Sequence, residues 1–411
     1  KVLSSRQIAE RRSEIAADNC PTIDLRGRGR QATPEVEPLS VDGHSLAMIM
    51  FTSGSSGDPK GVMLSDGNLL ANTESILCYL PIREEDRVLA LLPFYHAFGH
   101  SIMQTHLLTG ATLVVDGSMT FPNSVVDSLE RHCATSFSAV PEGYYALLNM
   151  SDLRDRRLPH LRYMTVAGGA LKPDAVVKMA EAIEPAEFYV MYGQTEASAR
   201  LAFLPAHLAK ARPDSMGKAI PGVELCVMDA DGREATDGET GELCARGANV
   251  MLGYWNDPEG TDRVLRDGWL RTGDLASRDA EGYLYVKARK NDLVKVQGFR
   301  IHPREVEDEI GKHFPNVRII VVPYQQQGVT RLAMFGISGR ADRGLSDALR
   351  RVCARELPRH KMPSVFQVLP QAPLNASMKL DRPALSNLAE RCANEAAELE
   401  PGCEQSKRQS A

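Results

Sequence analysis

No apolar run in this 411-residue chain approaches the ~18 residues needed to cross a bilayer, so it offers no candidate spanning helix. The first residues, KVLSSRQIAERRSEIAADN, lack the apolar core of a secretory leader. The eight cysteines (Cys20, Cys78, Cys133, Cys226, Cys244, Cys353, Cys392 and Cys403) form no CxxC pair, which argues against a zinc or redox motif. That scatter suits a reducing compartment, and the cytoplasm is the expected location. There is no basic excess either: 48 Lys and Arg face 53 Asp and Glu, a net charge of −5. A nucleic-acid coat or a polybasic membrane anchor would show the opposite balance. No internal repeat is visible, and the chain begins at Lys1 rather than Met. What is present is ordinary for a globular protein: 43% hydrophobic and 25% charged residues. Wholesale disorder, a collagen-like repeat and a disulfide mini-scaffold are excluded, and the length predicts two or three domains.

Local patterns divide the chain. Residues 19–45 are rich in Pro, Gly and Arg and read as irregular or extended. SLAMIMF (45–51) predicts a short buried strand, followed at once by a Gly/Ser loop. Ser65 or Asp66 can cap the helix that NLLANTESILCYL predicts. Strand-like runs at 88–94, 112–117 and 164–170 then alternate with amphipathic helices at 124–132 and 174–183, which predicts an α/β sheet flanked by helices. Beyond about residue 215, GVELCVMDADGRE and TGELCARG read as β-hairpins. A further β-rich stretch, 282–301, leads into the helix PREVEDEIGKH, and the tail from 387 reads as frayed helix or disorder.

The densest motif is Phe51-Thr52-Ser53-Gly54-Ser55-Ser56-Gly57-Asp58-Pro59-Lys60-Gly61. Its glycines allow successive N–H groups to face an anion, while hydroxyls and a lysine add donors. It is not a Walker A loop, because Pro59 and Gly61 stand where that motif needs Gly and Ser/Thr.

The string closely resembles the phosphate-binding signature of the adenylate-forming (AMP-binding) superfamily. Four further strings match that superfamily in order: Phe94-Tyr95-His96-Ala97-Phe98-Gly99, Met191-Tyr192-Gly193-Gln194-Thr195-Glu196, Trp269-Leu270-Arg271-Thr272-Gly273-Asp274, and Asn375-Ala376-Ser377-Met378-Lys379-Leu380-Asp381-Arg382. Gly241-Glu242-Leu243 and Gly253-Tyr254-Trp255 are familiar as well. The resemblance covers about residues 45 to 386 and is strongest to fatty acyl-CoA synthetases.

It implies a large α/β domain at 1–290, with sheets flanked by helices plus β-hairpins. A small mobile α+β domain follows at 291–386 and a flexible tail at 387–411. It implies ATP-dependent acyl-AMP formation with pyrophosphate release, then thioesterification, with ATP, Mg²⁺ and CoA as partners of a carboxylic acid. In this reading Thr52, Ser53, Gly54, Ser55, Ser56, Gly57 and Lys60 hold the departing phosphates. Thr195 contacts the α-phosphate and Glu196 helps hold Mg²⁺, a hard cation suited to carboxylate oxygens. Tyr192 faces the adenine, near Gly193, with Gly168, Gly169 and Ala170 leaving room on its other side. Asp274 accepts from the ribose hydroxyls and Arg289 pairs with ribose or phosphate. His96 borders the acid and the α-phosphate. Lys379 bridges the two reacting anions as the principal catalytic group. The hinge falls at Lys290-Asn291-Asp292, and Lys295 and Gly298 border the thiol channel.

Three positions depart from the family pattern: Asn291 at the hinge, Ala288 before Arg289 and Met378 before Lys379. Ala97 follows His96 where amino-acid-activating relatives carry Asp, which argues against an α-amino acid. A fatty acid is the expected substrate, with an aryl acid as alternative, and the phosphopantetheine of a carrier protein is the alternative acceptor to CoA. A third reading is a catalytically weak homologue with a binding role. Relatives carry a longer region before the phosphate loop, so an N-terminally truncated chain is expected.

Overall fold

The computed structural model describes residues 43–398 apart from 53–58, 297, 316, 327, 339–342 and 376–378. Within them a seven-stranded sheet forms the centre, in the order Thr112–Val114, Arg87–Leu89, Ser136–Ala139, Tyr163–Val166, Glu187–Tyr192, Ala202–Leu204 and Lys218–Ala219. The first five strands are parallel and the last two antiparallel. Phe137, Met164, Val166 and Phe188 from the parallel strands pack on Val125, Leu129, Leu147, Val176 and Met179 of the intervening helices, building one large core. The expected alternation of strand and helix is therefore present, and the fold is α/β, with helices covering the parallel sheet.

Ser65 is the observed cap of the helix Asp66–Tyr79. Its hydroxyl accepts from the Asn68 backbone N–H, and the Asn68 side chain accepts from the Ser65 N–H. The expected hairpin at 223–247 is an antiparallel pair, Val223–Met228 with Gly241–Gly247, and joins Trp269–Arg278, Leu265–Arg266 and Leu284–Arg289 in a five-stranded sheet.

Two expectations change. The run 45–51 forms the strand Leu46–Thr52, but only Met50 is buried, and Phe51 is 63% exposed. It is an end strand of a three-stranded antiparallel sheet with Lys60–Ser65 and Gly253–Tyr254, so its apolar character is only partly covered among the described residues. The tail is the second. Residues 387–398 continue the helix Arg382–Glu398, and Ala389 and Ala393 are buried against Ile320, Val322 and Phe335. Small alanines at helical spacing supplied a packing face that reads as low complexity in sequence.

From residue 294 onward the chain builds its own structure. Arg318–Gln326 and Val329–Ile337 pair antiparallel, Val365–Leu369 joins in parallel, and the helices Pro303–Gly311, Arg343–Glu356 and Arg382–Glu398 accompany this sheet. Two apolar clusters lie wholly within residues 294–393. Among the described residues, no apolar cluster draws on both sides of residues 290–293.

Candidate active site

Four adjacent parallel strands direct their carboxyl ends to one edge of the central sheet, where ligands of open α/β sheets are bound. Arg87–Leu89 runs toward His96, which precedes the helix Ala97–Leu108. Ser136–Ala139 leads to Pro141 and Glu142 at the start of the helix Pro141–Met150. Tyr163–Val166 ends before Gly168, Gly169 and Ala170. Glu187–Tyr192 is followed by Gly193 and the single turn Thr195–Ala197, which contains Glu196. Residues up to a hundred positions apart in sequence thus meet at one edge because the strands that carry them run side by side.

Glycine is required at two of these positions. A Cβ on Gly193 would lie 1.9 Å from the Ala199 carbonyl oxygen, closer than any side chain tolerates. Gly168 has φ +84°, and a Cβ there would meet Lys379 Cε at 3.3 Å and Val140 Cγ1 at 3.3 Å. Lys379 therefore reaches from the C-terminal segment onto the bare backbone of Gly168.

The electrostatics of Lys379 follow from that placement. The residue as a whole remains solvent-exposed, yet its ammonium is packed among protein atoms. Desolvation lowers its pKa below the usual lysine value, the Arg289 charge lowers it further, and Glu142 and Glu196 oppose both. His96 is held neutral by burial and by the Lys379 charge, and its Nε2 is buried without a hydrogen-bond partner among the described residues. An orphaned ring nitrogen beside a lysine is a place for an acceptor or donor on a ligand.

A second group joins Tyr192, Asp274 and Arg289. Asp274 is buried; its Oδ2 accepts from the Tyr192 hydroxyl at 2.6 Å and its Oδ1 from Arg289 Nε at 3.0 Å. Asp274 and Arg289 are register partners on neighbouring antiparallel strands, which fixes the pair. Burial, then the Asp274 charge, push the Tyr192 phenol far above its ordinary value, so it remains a donor. Each Asp274 oxygen keeps a further lone pair for a ligand hydroxyl.

A third group links the phosphate-loop motif to Glu196. Thr52 and Lys60 face each other across the hairpin, and Lys60 Nζ lies 4.5 Å from the centre of the Tyr254 ring and 3.7 Å from Asp257 Oδ2. The Tyr254 hydroxyl donates to Glu196 Oε1 at 2.8 Å. Ser53, Gly54, Ser55, Ser56 and Gly57 lie outside the described residues, as does Met378.

Other expected site residues stand apart. Gly169 and Ala170 are exposed, and a Cβ on Gly169 would touch Pro141. Lys295 is exposed on the strand Val294–Val296, and among the described residues no hydrogen bond or ion pair joins it to Lys379, Glu196 or Asp274. Asn291 falls within the turn Lys290–Asp292, and Ala288 pairs with Leu275 in the sheet.

Several residues were invisible to sequence reading. Arg318 donates to Glu142 Oε1 at 2.9 Å across 176 residues, with the two side chains only 18% and 9% exposed, and its guanidinium lies 4.4 Å over the Tyr145 ring. Lys172 brings its ammonium toward Gly311, at the end of the helix Pro303–Gly311, 3.2 Å from where a Cβ would stand. No local pattern marks either contact. Tyr254 and Asp257 had a signal, the Gly253-Tyr254-Trp255 string and the capping position before Pro258.

The AMP-binding enzyme family model matches residues 3–255, more than half of the chain. The long-chain-fatty-acid–CoA ligase of Bacillus subtilis (strain 168) is 31% identical over 359 residues, covering 85% of this chain and 62% of the relative. The sulfoacetate–CoA ligase of Cupriavidus necator is 34% identical over 382 residues, covering 91% of this chain and 72% of the relative. Among solved structures, the o-succinylbenzoate CoA synthetase of Bacillus subtilis, in complex with its acyl-adenylate intermediate, is 30% identical at a TM-score of 0.71, covering 86% of this chain and 72% of that one. The same synthetase in complex with ATP and magnesium ion is similar at a TM-score of 0.69, with 87% and 73% covered. This chain thus spans about 62% of the fatty-acid ligase it matches. Its central sheet, its ordered motifs and the match over residues 3–255 make it a member of the AMP-binding enzyme family.

Proposed function

We propose that this chain activates a carboxylic acid with ATP, releasing pyrophosphate, and transfers the acyl group to a thiol, that of CoA in the first instance. A carboxylate oxygen attacks the α-phosphorus, the bond from that phosphorus to the bridging oxygen breaks, and pyrophosphate departs. The thiol then attacks the acyl carbon and AMP leaves. Two anions must be brought together, so the site needs positive charge and fixed donors more than a strong base. The observation that carries this reading is the approach of Lys379 to Gly168, beside His96 and Glu196, at the carboxyl edge of the sheet.

In this reading Lys379 spans the acid and the α-phosphate, and Gly168 is bare so that the lysine stem can pass. Neutral His96 offers its unpartnered Nε2 to an oxygen of either reactant. Thr195 contacts the α-phosphate. Tyr192, fixed through its hydroxyl to Asp274, presents its ring to the adenine, and Asp274 uses its remaining lone pairs on the ribose hydroxyls. Thr52, Lys60 and the motif through Gly57 hold the departing phosphates. Glu196, with a hydrogen-bonded carboxylate beside the Lys60 group, would hold Mg²⁺, which supplies neutralisation of phosphate charge.

We assign residues up to 290 to a large part and 291–386 to a smaller lid that swings about Asn291 between the two half-reactions, bringing Lys295 and Gly298 to the thiol channel. The fatty acid expected from sequence is one candidate; the relatives' names span fatty acids, sulfoacetate and succinylbenzoate. The test is acid-dependent pyrophosphate release from ATP and Mg²⁺ over a panel of carboxylic acids, followed by a comparison of CoA with a holo carrier protein. Release with several acids supports the reading. A folded preparation that releases none with any acid refutes it.

A further inference from the structure

The residues that border Lys379 lead directly to contacts between the two sides of the turn at 290–293. Val140, which meets Lys379 over Gly168, is followed by Pro141 and Glu142 at the start of the helix Pro141–Met150. Glu142 Oε1 accepts from Arg318 Nη2 at 2.9 Å, and both side chains are largely covered. One turn along the same helix, the Tyr145 ring lies 4.4 Å from the Arg318 guanidinium. The Tyr145 hydroxyl accepts from the Lys172 backbone N–H at 3.0 Å. Glu142 is thus two residues past Val140, and Lys172 is four residues past Gly168.

Lys172 supplies the opposite charge. It is half-buried, and among the described residues no carboxylate pairs with it directly. Its ammonium reaches the carboxyl end of the helix Pro303–Gly311, 3.2 Å from where a Cβ on Gly311 would stand. The free carbonyls at such an end favour a cation. Burial lowers the Lys172 pKa, and the charges of Glu307 and Asp308 on that helix oppose the shift. The first part therefore presents a minus and a plus, and the second part presents a plus and a minus. Crossed charges of this kind match in one register only. A covered ion pair adds little net stability, because both charges lose water, but a mismatch leaves them uncompensated.

The second part carries these docking groups and Lys379 on one frame. Glu307 Oε1 accepts from the Val321 backbone N–H at 2.8 Å and from Arg382 Nη2 at 3.1 Å. Arg382 Nη1 donates to the Val321 carbonyl at 2.8 Å. Val321 lies three residues along the strand that Arg318 opens, and Arg382 lies three residues past Lys379. Asn375 holds Lys379 from the other side. Its backbone N–H donates to the Lys379 carbonyl at 2.8 Å, and its side chain accepts from the Lys379 N–H at 3.1 Å. A movement that takes Lys379 off Gly168 therefore takes Arg318 off Glu142 and Gly311 off Lys172.

We propose that Glu142 and Lys172, met by Arg318 and by the end of the helix Pro303–Gly311, form a two-point lock that places Lys379 for acyl-AMP formation. Glu142, Lys172 and Arg318 are positioning residues, acting through Lys379. Both points must part before the lid can swing, so the lock favours the first half-reaction over the second. The proposal rests on the acid-activating reading above and adds what holds the first of its two poses.

The test separates the half-reactions in the full 411-residue chain. The first readout is pyrophosphate release with an acid that the panel identifies. The second is thioester formation from the ready-made acyl-AMP of that acid with CoA. Arg318→Met and Lys172→Met should each lower kcat for pyrophosphate release by about tenfold or more, with KM for ATP within about twofold. Thioester formation from supplied acyl-AMP should hold or rise. Arg318→Lys, which keeps the charge without the fork, should recover part of the loss and decides the matter if a Met variant fails to fold. A merely structural role would lower both half-reactions together. An unchanged ratio of the two rates in the variants, whether both fall or neither does, overturns the proposal. A third readout needs no activity: cleavage near residues 290–293, without acid or nucleotide, should accelerate several-fold in both Met variants. The ratio decides wherever release is measurable, and cleavage decides where it is not. Faster cleavage without pyrophosphate from any acid supports the lock while sinking the ligase reading. Release with an unchanged ratio sinks the lock alone.

Discussion

The part of the chain before residue 290 and the part after 294 each pack around apolar interiors of their own, but they present their candidate site residues differently. In the first, the site residues hang from parallel strands whose sides are filled by Phe137, Met164, Val176 and Phe188, all close to fully buried. Their relative positions are set by a packed interior that resists any single change. The second part has equally dry interiors of its own, around Val321, Met334 and Leu349 and around Phe335 and Leu385. Among the described residues, polar groups link it to the first: Arg318 on Glu142, Lys172 toward Gly311, and Lys379 over Gly168. Lys379 therefore reaches Gly168 from a part of the chain whose other links to the first part, among the described residues, are polar contacts such as Arg318 on Glu142.

The largest effect should come from the lysine itself. Lys379→Ala should reduce acid-dependent pyrophosphate release by about a thousandfold or more, as loss of a charge aimed at the transition state does. Calorimetric ATP binding should be nearly unchanged, because the Tyr192, Asp274 and Lys60 groups lie in the other part. Normal turnover in this variant would mean that the C-terminal part contributes no chemistry.

Asp274→Asn should come next, on the packed side. It removes the charge facing Arg289 and leaves the Tyr192 and Arg289 donors with a poorer acceptor. ATP affinity should fall by about 10- to 100-fold with acid affinity unchanged. An unchanged ATP dissociation constant would disconnect this group from the nucleotide.

Glu142→Gln tests the junction directly. It leaves Arg318 covered but without its countercharge, a loss of about 1–3 kcal/mol at a partly buried pair. Proteolytic cleavage near residues 290–293 should accelerate several-fold while the central core keeps its Tm. Equal cleavage rates in both forms would show that the junction does not depend on this pair.

The smallest effect is on pH. In the proposed mechanism Lys379 acts as a cation, and burial with the Arg289 charge lowers its pKa below the ordinary lysine value. The alkaline limb of pyrophosphate release should therefore fall below the ordinary lysine range. Glu142 opposes the shift, so Glu142→Gln should move the limb to still lower pH. A limb that stays put in that variant would remove Glu142 from the electrostatics of Lys379.

Much of this was legible beforehand because it is local. Ser65 and Asn68 announce a helix start within four residues, and the alternation of apolar runs announces a parallel sheet with helices on its faces. The ordered strings around Thr52, His96, Thr195, Asp274 and Lys379 mark the family on their own. The exposure of Leu46–Thr52 and the packing of Ala389 and Ala393 were misread, since burial depends on which neighbour arrives rather than on the run itself.

The sequence by itself determined the family, the α/β class and several element starts. These depend on short spacings, which a chain carries wherever it is placed. Only the tertiary structure decided that Glu142 would meet Arg318 across 176 residues and that Tyr79 and Arg200 would share the Met191 sulfur. It also decided that Lys379 would find Gly168 bare beneath it. Such pairings arise where separate strands and helices are packed against one another, so no local spacing records them.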